Sequence, residues 1–349
     1  MSLRILLVMD PLIPVPPRQY GGIERVVADL AGGLVGRGHE VTLWAAPSSR
    51  TPARLEPFGR EGEWTRRSNV RNTLQLARRF RAQPDRFDLV HNFGRLAYLL
   101  GVLRSDVPKV QSYQRAVNPK NMRTARRLGA KRLHYTAVSA AVRDTALSGH
   151  SGAGDWTVIP NGVPPARYPF NAGVDPQRAP LVFLGRLDRC KGPHTAIAVA
   201  RRLNRRLTLA GNVSSLPHER AYFYQEVAPL LGGGITYIGP VDDAQKAALL
   251  RGAAALLMPV DWAEPFGIVM VEALMTGTPV IAFRRGGIPE VILDGRTGFL
   301  CDTADEMVEC VGRLPSISRA ECRADAERRF SDEVIVSAYE RLYGTLVGA

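Results

Sequence analysis

Two carboxylates with seven residues between them carry the sharpest chemical signal in this sequence. Glu264 precedes a Pro-Phe-Gly turn in "AEPFGIVMVEALMTGTPV" (263–280), and Glu272 follows it inside an otherwise apolar run. Pro265 suits an entry loop or a first helical turn, and Gly277 followed by Pro279 is a stop, so the run reads as a short helix. Its first turn then presents unpaired amides near Phe266, Gly267, Ile268 and Val269, a place for phosphate oxygens or sugar hydroxyls. Glu264, just ahead of them, is an acceptor for hydroxyl groups. Glu272 lies one to two turns in, where burying its charge without partners is costly. A vicinal diol such as a ribose would satisfy it, and so would a buried arginine.

Three glycine-bearing loops add to this pair. "LGRLDRCKG" (184–192) sets Arg186 and Lys191 five apart between two glycines. An arginine fork and a lysine point charge together suit a diphosphate. "PPRQYGGIERVV" (16–27) puts Gly21 and Gly22 ahead of a helix, where a ligand can approach bare backbone. It lacks the G-x-G-x-x-G spacing of a dinucleotide fingerprint. "RRGGIPE" (284–290) is the third, with Gly286 and Gly287. His91, in "DLVHNFGR", follows a strand, where it either touches a ligand or caps a loop. Cys190, Cys301, Cys310 and Cys322 show neither CxxC nor zinc-finger spacing and read as reduced thiols.

These loops need strands and helices to hold them, and the chain supplies both in alternation. "RILLVMD", "HEVTLWAA", "FDLVHN", "VPKVQSY", "RLHYTAVS" and "WTVIPNGV" read as strands, interleaved with helical stretches such as "NVRNTLQLARRFRAQ". After the Pro-rich "PPARYPFNAGVDPQRAP" the pattern restarts with "LVFLGRL", "RLTLAGN", "GITYIGPV", "AALLMPV" and "PVIAF". This is an α/β chain with two doubly wound parallel-sheet domains in tandem. Ligands of such sheets bind beyond the carboxyl ends of the strands, so two of them facing one another make an interdomain cleft. No apolar run reaches the 18 residues that a membrane helix needs. The net charge of +13 is unevenly placed. Residues 1–170 hold 26 Lys and Arg against 12 Asp and Glu, while residues 171–349 hold 20 against 21. Such a field attracts polyanions, anionic lipid surfaces or acidic substrates, or is a solvated basic face. The basic stretches lack interleaved aromatics, which argues against nucleic acid.

With these segments in view, the sequence resembles the retaining GT-B glycosyltransferases of family GT4. The resemblance lies in the E-x7-E pair and its "TGTPVIA" tail, in "YGGIERVVADLAGGLVGRGHEVTL", in "VIPNGV" and in "GRLDRCKG". It implies an acceptor-binding Rossmann-like domain over 1–168, a nucleotide-sugar domain over 169–330, and a C-terminal helix over 331–349 that crosses back to the first. It also implies roles. Glu264 would contact hydroxyls of the transferred sugar, with the amides of Phe266, Gly267, Ile268 and Val269 beside it. Glu272 would hold the nucleotide ribose, Arg186 and Lys191 the diphosphate, and Gly21 and Gly22 would approach the phosphates. The donor would be UDP- or GDP-linked, with no metal and no further cofactor required.

Many relatives in that family carry T-x-H after a strand of the first domain. Here "VQSYQR" puts Ser112 and Gln114 in those places, and Gln cannot titrate. Gln114, Arg115 and Asn118 are the acceptor-side candidates, and His91 joins Glu264, Arg186 and Lys191 as a catalytic candidate. Trp262, two residues before Glu264, is the tryptophan placed for a ligand. The expected protein is a cytoplasmic hexosyltransferase that binds the inner face of an anionic membrane peripherally. Two rivals are a nucleotide-sugar epimerase on the same fold and a nucleotide-sugar binder without catalysis.

Overall fold

The computed structural model describes residues 2–18, 21–115, 117, 119–148 and 154–348. The chain divides into two compact units, residues 1–161 with 332–349, and residues 162–331.

Unit 1 is built on strands β1 (Arg4–Val8), β2 (Glu40–Trp44), β3 (Arg54–Leu55), β4 (Leu89–Asn92), β5 (Lys109–Tyr113), β6 (Leu133–Ala137) and β7 (Asp155–Val158). Helices α1 (Gly22–Gly36), α2 (Arg66–Ala82), α3 (Pro119–Arg127) and α4 (Ala140–Leu147) are interleaved with them. The sheet runs β3-β2-β1-β4-β5-β6-β7, with parallel pairing throughout. β1 reads as a continuous apolar run because Ile5, Leu6, Leu7 and Val8 are covered on both faces. α1 buries Val26, Val27, Leu30, Ala31 and Leu34 along one stripe, the spacing of a helix that faces a core on one side.

Unit 2 repeats the plan. Strands β8 (Leu181–Leu184), β9 (Leu207–Ala210), β10 (Ile235–Tyr237), β11 (Ala255–Met258), β12 (Val280–Phe283) and β13 (Gly298–Cys301) form a parallel sheet ordered β10-β9-β8-β11-β12-β13. The helices are α5 (Pro193–Arg202), α6 (Pro217–Tyr222), α7 (Asp243–Arg251), α8 (Ile268–Met275), α9 (Ile288–Val291), α10 (Ala304–Gly312) and α11 (Arg319–Phe330). Both units are thus doubly wound Rossmann-like sheets.

The last helix, α12 (Asp332–Gly348), belongs to unit 1. It inserts Ile335, Val336, Tyr339 and Tyr343 into the core that α1 and β1 share. The approach is close enough that a Cβ at Gly33 would stand 2.5 Å from Val336 Cγ2. A side chain there would force α12 off its seat.

Candidate active site

The segment after β11 makes a loop through Glu264 and enters α8 at Gly267, which holds a left-handed φ of 76°. That conformation favours glycine, and no side chain caps the helix start, so the first amides of α8 are left to other partners. Phe266 turns its ring inward, 3% exposed and edge-on to Phe330, so only its backbone can serve a ligand.

Glu264 is 7% exposed. Its Oε2 accepts from Lys191 Nζ at 2.6 Å and from Trp262 Nε1 at 2.9 Å. Lys191 also stands 4.6 Å over the Trp262 ring, so ammonium, indole and carboxylate form one cluster. One neighbouring loop fixes the Glu264 backbone, and a second fixes the stretch just before it. Gly287 N donates to Glu264 O at 2.7 Å, and Gly286 is so close that a Cβ there would meet that same oxygen at 2.3 Å. The glycines of "RRGGIPE" are therefore packing glycines for the glutamate loop. On the other side, Gly192 has φ 73° and its Cβ position lies 2.1 Å from the Pro259 carbonyl oxygen. That approach locks the Lys191 loop onto the stretch that follows β11.

Glu272 lies in the second turn of α8, 3% exposed. The sequence left its partner open between a ligand diol and a buried arginine, and the resemblance favoured the ligand. The structure corrects the arginine: the cation is Lys246 of α7, paired with Oε1. Tyr168 donates its hydroxyl to the same Oε1 at 2.8 Å. Burial, then the Glu272 carboxylate, push the Tyr168 hydroxyl far above its usual range, so it stays protonated as donor. The burial of Glu272 thus needs no ligand.

The two glutamates share a pattern. Each takes one lysine and one aromatic donor on a single oxygen. Neither Glu264 Oε1 nor Glu272 Oε2 accepts a hydrogen bond from any described residue.

Arg186 follows β8 and pairs with Asp188 at 2.8 Å. Its side chain is 37% exposed, whereas Asp188 is buried. Arg186 Nε and Asp188 Oδ1 are each buried without a partner. Burial outweighs the pull of Arg186 and Lys191 and raises the Asp188 carboxyl above its ordinary value. Asp188, Lys246 and Tyr168 are the site residues that sequence reasoning left unassigned, and Trp262, placed there for a ligand, donates to Glu264.

In unit 1, Gly21 precedes α1 with φ 151°, and a Cβ there would meet Pro17 Cβ at 2.7 Å. Gly22 is the first residue of α1. Gln114 and Arg115 follow β5 and line a cavity described below; Asn118 lies outside the described residues. His91 is a correction. It is 0% exposed, with Nδ1 2.5 Å from the Tyr343 hydroxyl and Nε2 2.6 Å from Ser112 Oγ. Phe93 and Tyr339 pack on its ring. Both nitrogens are spent and no face is open, so His91 anchors α12 and touches no substrate. Ser112 is used in the same network, 2.5 Å from Thr136 Oγ1.

The family model for glycosyl transferases group 1 matches residues 167–325, and that for glycosyltransferase family 4 matches residues 20–167. A glycogen synthase of Mycobacterium tuberculosis is 33% identical over 222 residues, 59% of this chain and 52% of that protein. The matched part thus spans about half the length of that curated relative. A phosphatidyl-myo-inositol mannosyltransferase of Mycolicibacterium smegmatis is 28% identical, across 94% of this chain and 91% of its own. Among solved structures, AviGT4, a glycosyltransferase involved in avilamycin A biosynthesis, superposes with a TM-score of 0.73 at 29% identity. It covers 100% of this chain and 99% of its own.

Proposed function

Because the chain belongs to the group 1 and family 4 glycosyltransferases, with the GT-B pairing of two Rossmann-like domains, we propose that it moves a sugar from a nucleoside diphosphate donor to a hydroxyl-bearing acceptor with retention at the anomeric carbon. The observation that carries this reading is the one-sided bonding of the two glutamates. Lysine and aromatic donors neutralise and aim each carboxylate from behind, and one oxygen of each is left to accept. Glu272 Oε2 then takes the ribose hydroxyls and Glu264 Oε1 those of the transferred sugar. The uncapped start of α8 offers its amides to the same ligand.

Arg186 and Lys191 hold the diphosphate and stabilise the charge that grows as the bond from the anomeric carbon to the phosphate oxygen breaks. The acceptor oxygen forms the new bond to that carbon, and its proton passes to the departing diphosphate. No histidine base enters, since His91 is enclosed and Gln114 does not titrate. In this reading the two cations do the work that a metal ion does elsewhere, and the donor is UDP- or GDP-linked. The acceptor belongs to unit 1, and the protein works peripherally at the cytoplasmic face of an anionic membrane. Support comes from the excess of cations in residues 1–170 and from the lipid-directed name of the mannosyltransferase relative. Among the described residues no helix is long and apolar enough to cross a membrane.

The test is thermal stabilisation of the full chain by UDP, GDP, ADP, CDP and dTDP, on wild type and on Glu272→Gln. A diphosphate at 100 times its dissociation constant adds about 2.7 kcal/mol. One base should stabilise wild type and lose most of that effect in the variant. A folded wild type that no diphosphate stabilises would overturn the donor assignment.

A further inference from the structure

Unit 1 holds a cavity of about 640 Å³ whose lining is not used by the donor chemistry. It lies beyond the carboxyl ends of β1, β4 and β5, with Asp10 after the first, the stretch from Phe93 to Leu103 after the second, and Gln114 and Arg115 after the third. α3 and Leu128 close another side. Ligands of parallel sheets collect at this edge.

The lining divides into two chemistries. One wall is apolar, made by Leu96, Leu100 and Leu103 from the segment after β4 and by Ala125 and Leu128 from the α3 side. Leu100 is 47% and Leu128 38% exposed, two large apolar side chains from separate elements left open beside one cavity. The other end is polar. Gln114 lines it with Oε1 buried and without a partner, and the Tyr113 hydroxyl is likewise buried and unpartnered. Asp10 offers no free charge, because it takes the Arg95 guanidinium and the Tyr98 hydroxyl. A buried acceptor left unpaired by the protein is costly unless a ligand supplies the donor. An exposed leucine pair is likewise explained by apolar matter that covers it.

We propose that this cavity binds the acceptor and that the acceptor is a hydroxylated amphiphile, its hydroxyl end at Gln114 and Tyr113 and its apolar chain or ring along the leucine wall. Calling the ligand an acceptor rests on the glycosyltransferase reading; its chemical class rests on the cavity alone. A bare sugar would satisfy Gln114 and leave the leucines wet. A plain hydrocarbon would cover the leucines and leave Gln114 unpaired. Arg115, exposed at the polar end, lets an anionic head group sit there as well.

The experiment is binding to the full chain without donor, by calorimetry, using probes below their micellar range. Hexyl and octyl β-D-glucopyranoside are compared with glucose, since each buried methylene is worth roughly fourfold in affinity. Dihexanoyl phosphatidylglycerol and 4-methylumbelliferyl β-D-glucopyranoside separate a lipid source from an aromatic one. The octyl glycoside should bind at least tenfold more tightly than glucose and at least threefold more tightly than the hexyl. Leu100→Glu and Gln114→Leu should each weaken it at least fivefold. Leu100 is a surface residue, so its variant tests the wall without threatening the fold. Preference for the lipid probe or for the aromatic one supports the proposal and names the source. Glucose binding as well as octyl glucoside, no binding by any amphiphile, or affinities unchanged in both variants would overturn it. Amphiphile binding in a protein that no nucleoside diphosphate stabilises would instead sink the donor reading and leave the ligand class of this cavity standing.

Discussion

Replacing Lys246 by Met should destabilise unit 2 far more than any surface charge change. Lys246 and Glu272 have side chains only 12% and 4% exposed, so the pair is a buried one. Removing one partner of a buried pair costs about 3–5 kcal/mol, because the other charge is left without compensation. The lower end applies here, since the Tyr168 hydroxyl still donates to Glu272 at 2.8 Å. The contact of Lys246 with Asp243, 3.4 Å and at a half-open carboxylate, adds little. For a unit of residues 162–331, about 3 kcal/mol corresponds to a fall of roughly 6–12 °C in its melting transition. The assay is calorimetry of the full chain, supported by urea unfolding of wild type, Lys246→Met, Glu272→Gln and the double variant. The double variant carries no unpaired charge, so it should recover about 2 kcal/mol against the sum of the single changes. A Lys246→Met shift below about 2 °C, or single changes that simply add to within about 0.5 kcal/mol, would refute the pairing as the reason why Glu272 can be buried.

Two further outcomes follow from the geometry. Burial holds the His91 imidazole well below its usual 6.5, so the unfolded chain binds a proton that the folded one refuses. Stability should therefore fall as the pH drops below about 6.5, by up to about 1.4 kcal/mol per unit, and urea midpoints of His91→Asn should show a flatter slope; equal slopes would acquit His91. Gly192→Ala forces a side chain into φ 73° and 2.1 Å from the Pro259 carbonyl, so it should cost about 2 kcal/mol or more and weaken nucleotide binding through Lys191. Gly36→Ala, where a Cβ meets nothing within 4 Å, is the control and should change stability by less than about 1 kcal/mol.

The sequence disclosed the parallel strands because most are buried on both faces and so read as uninterrupted apolar runs, as "RILLV" and "ALLM" do. It did not disclose β3, whose two residues carry no period, or β13, where Gly298 and Cys301 dilute a four-residue run. In the site, Glu264, Glu272, Arg186 and Lys191 were visible because each follows a strand or sits wrong in an apolar run. Their partners were not. Lys246 lies on helix α7, 26 positions from Glu272, and Tyr168 104 positions away, and no local spacing links either to a carboxylate. His91 shows the converse failure. Its place after β4 suggested a ligand, but α12, which begins some 240 residues later, covers it completely. A residue's place at a strand end says where it starts; the element that returns over it decides whether a ligand can reach it.

The choice of cation on the two glutamates is itself informative. Only five of the 46 cationic side chains are lysine, yet both glutamates of the E-x7-E pair are neutralised by one, Lys191 and Lys246. An arginine fork would engage both carboxylate oxygens of its partner, whereas an ammonium engages one. In a chain that uses arginine nearly everywhere else, the lysines leave Glu264 Oε1 and Glu272 Oε2 without donors among the described residues. Lys246→Arg thus separates two demands that Lys246→Met confounds. It keeps the positive charge beside Glu272, so unit 2 should melt within a few degrees of wild type. If the fork closes over both oxygens, stabilisation by the donor diphosphate should fall by about 1.4 kcal/mol or more, a tenfold loss of affinity. If the variant instead binds nucleotide as wild type does, the open oxygen of Glu272 is not where the ribose is held, and the one-sided bonding is only a way to bury a charge.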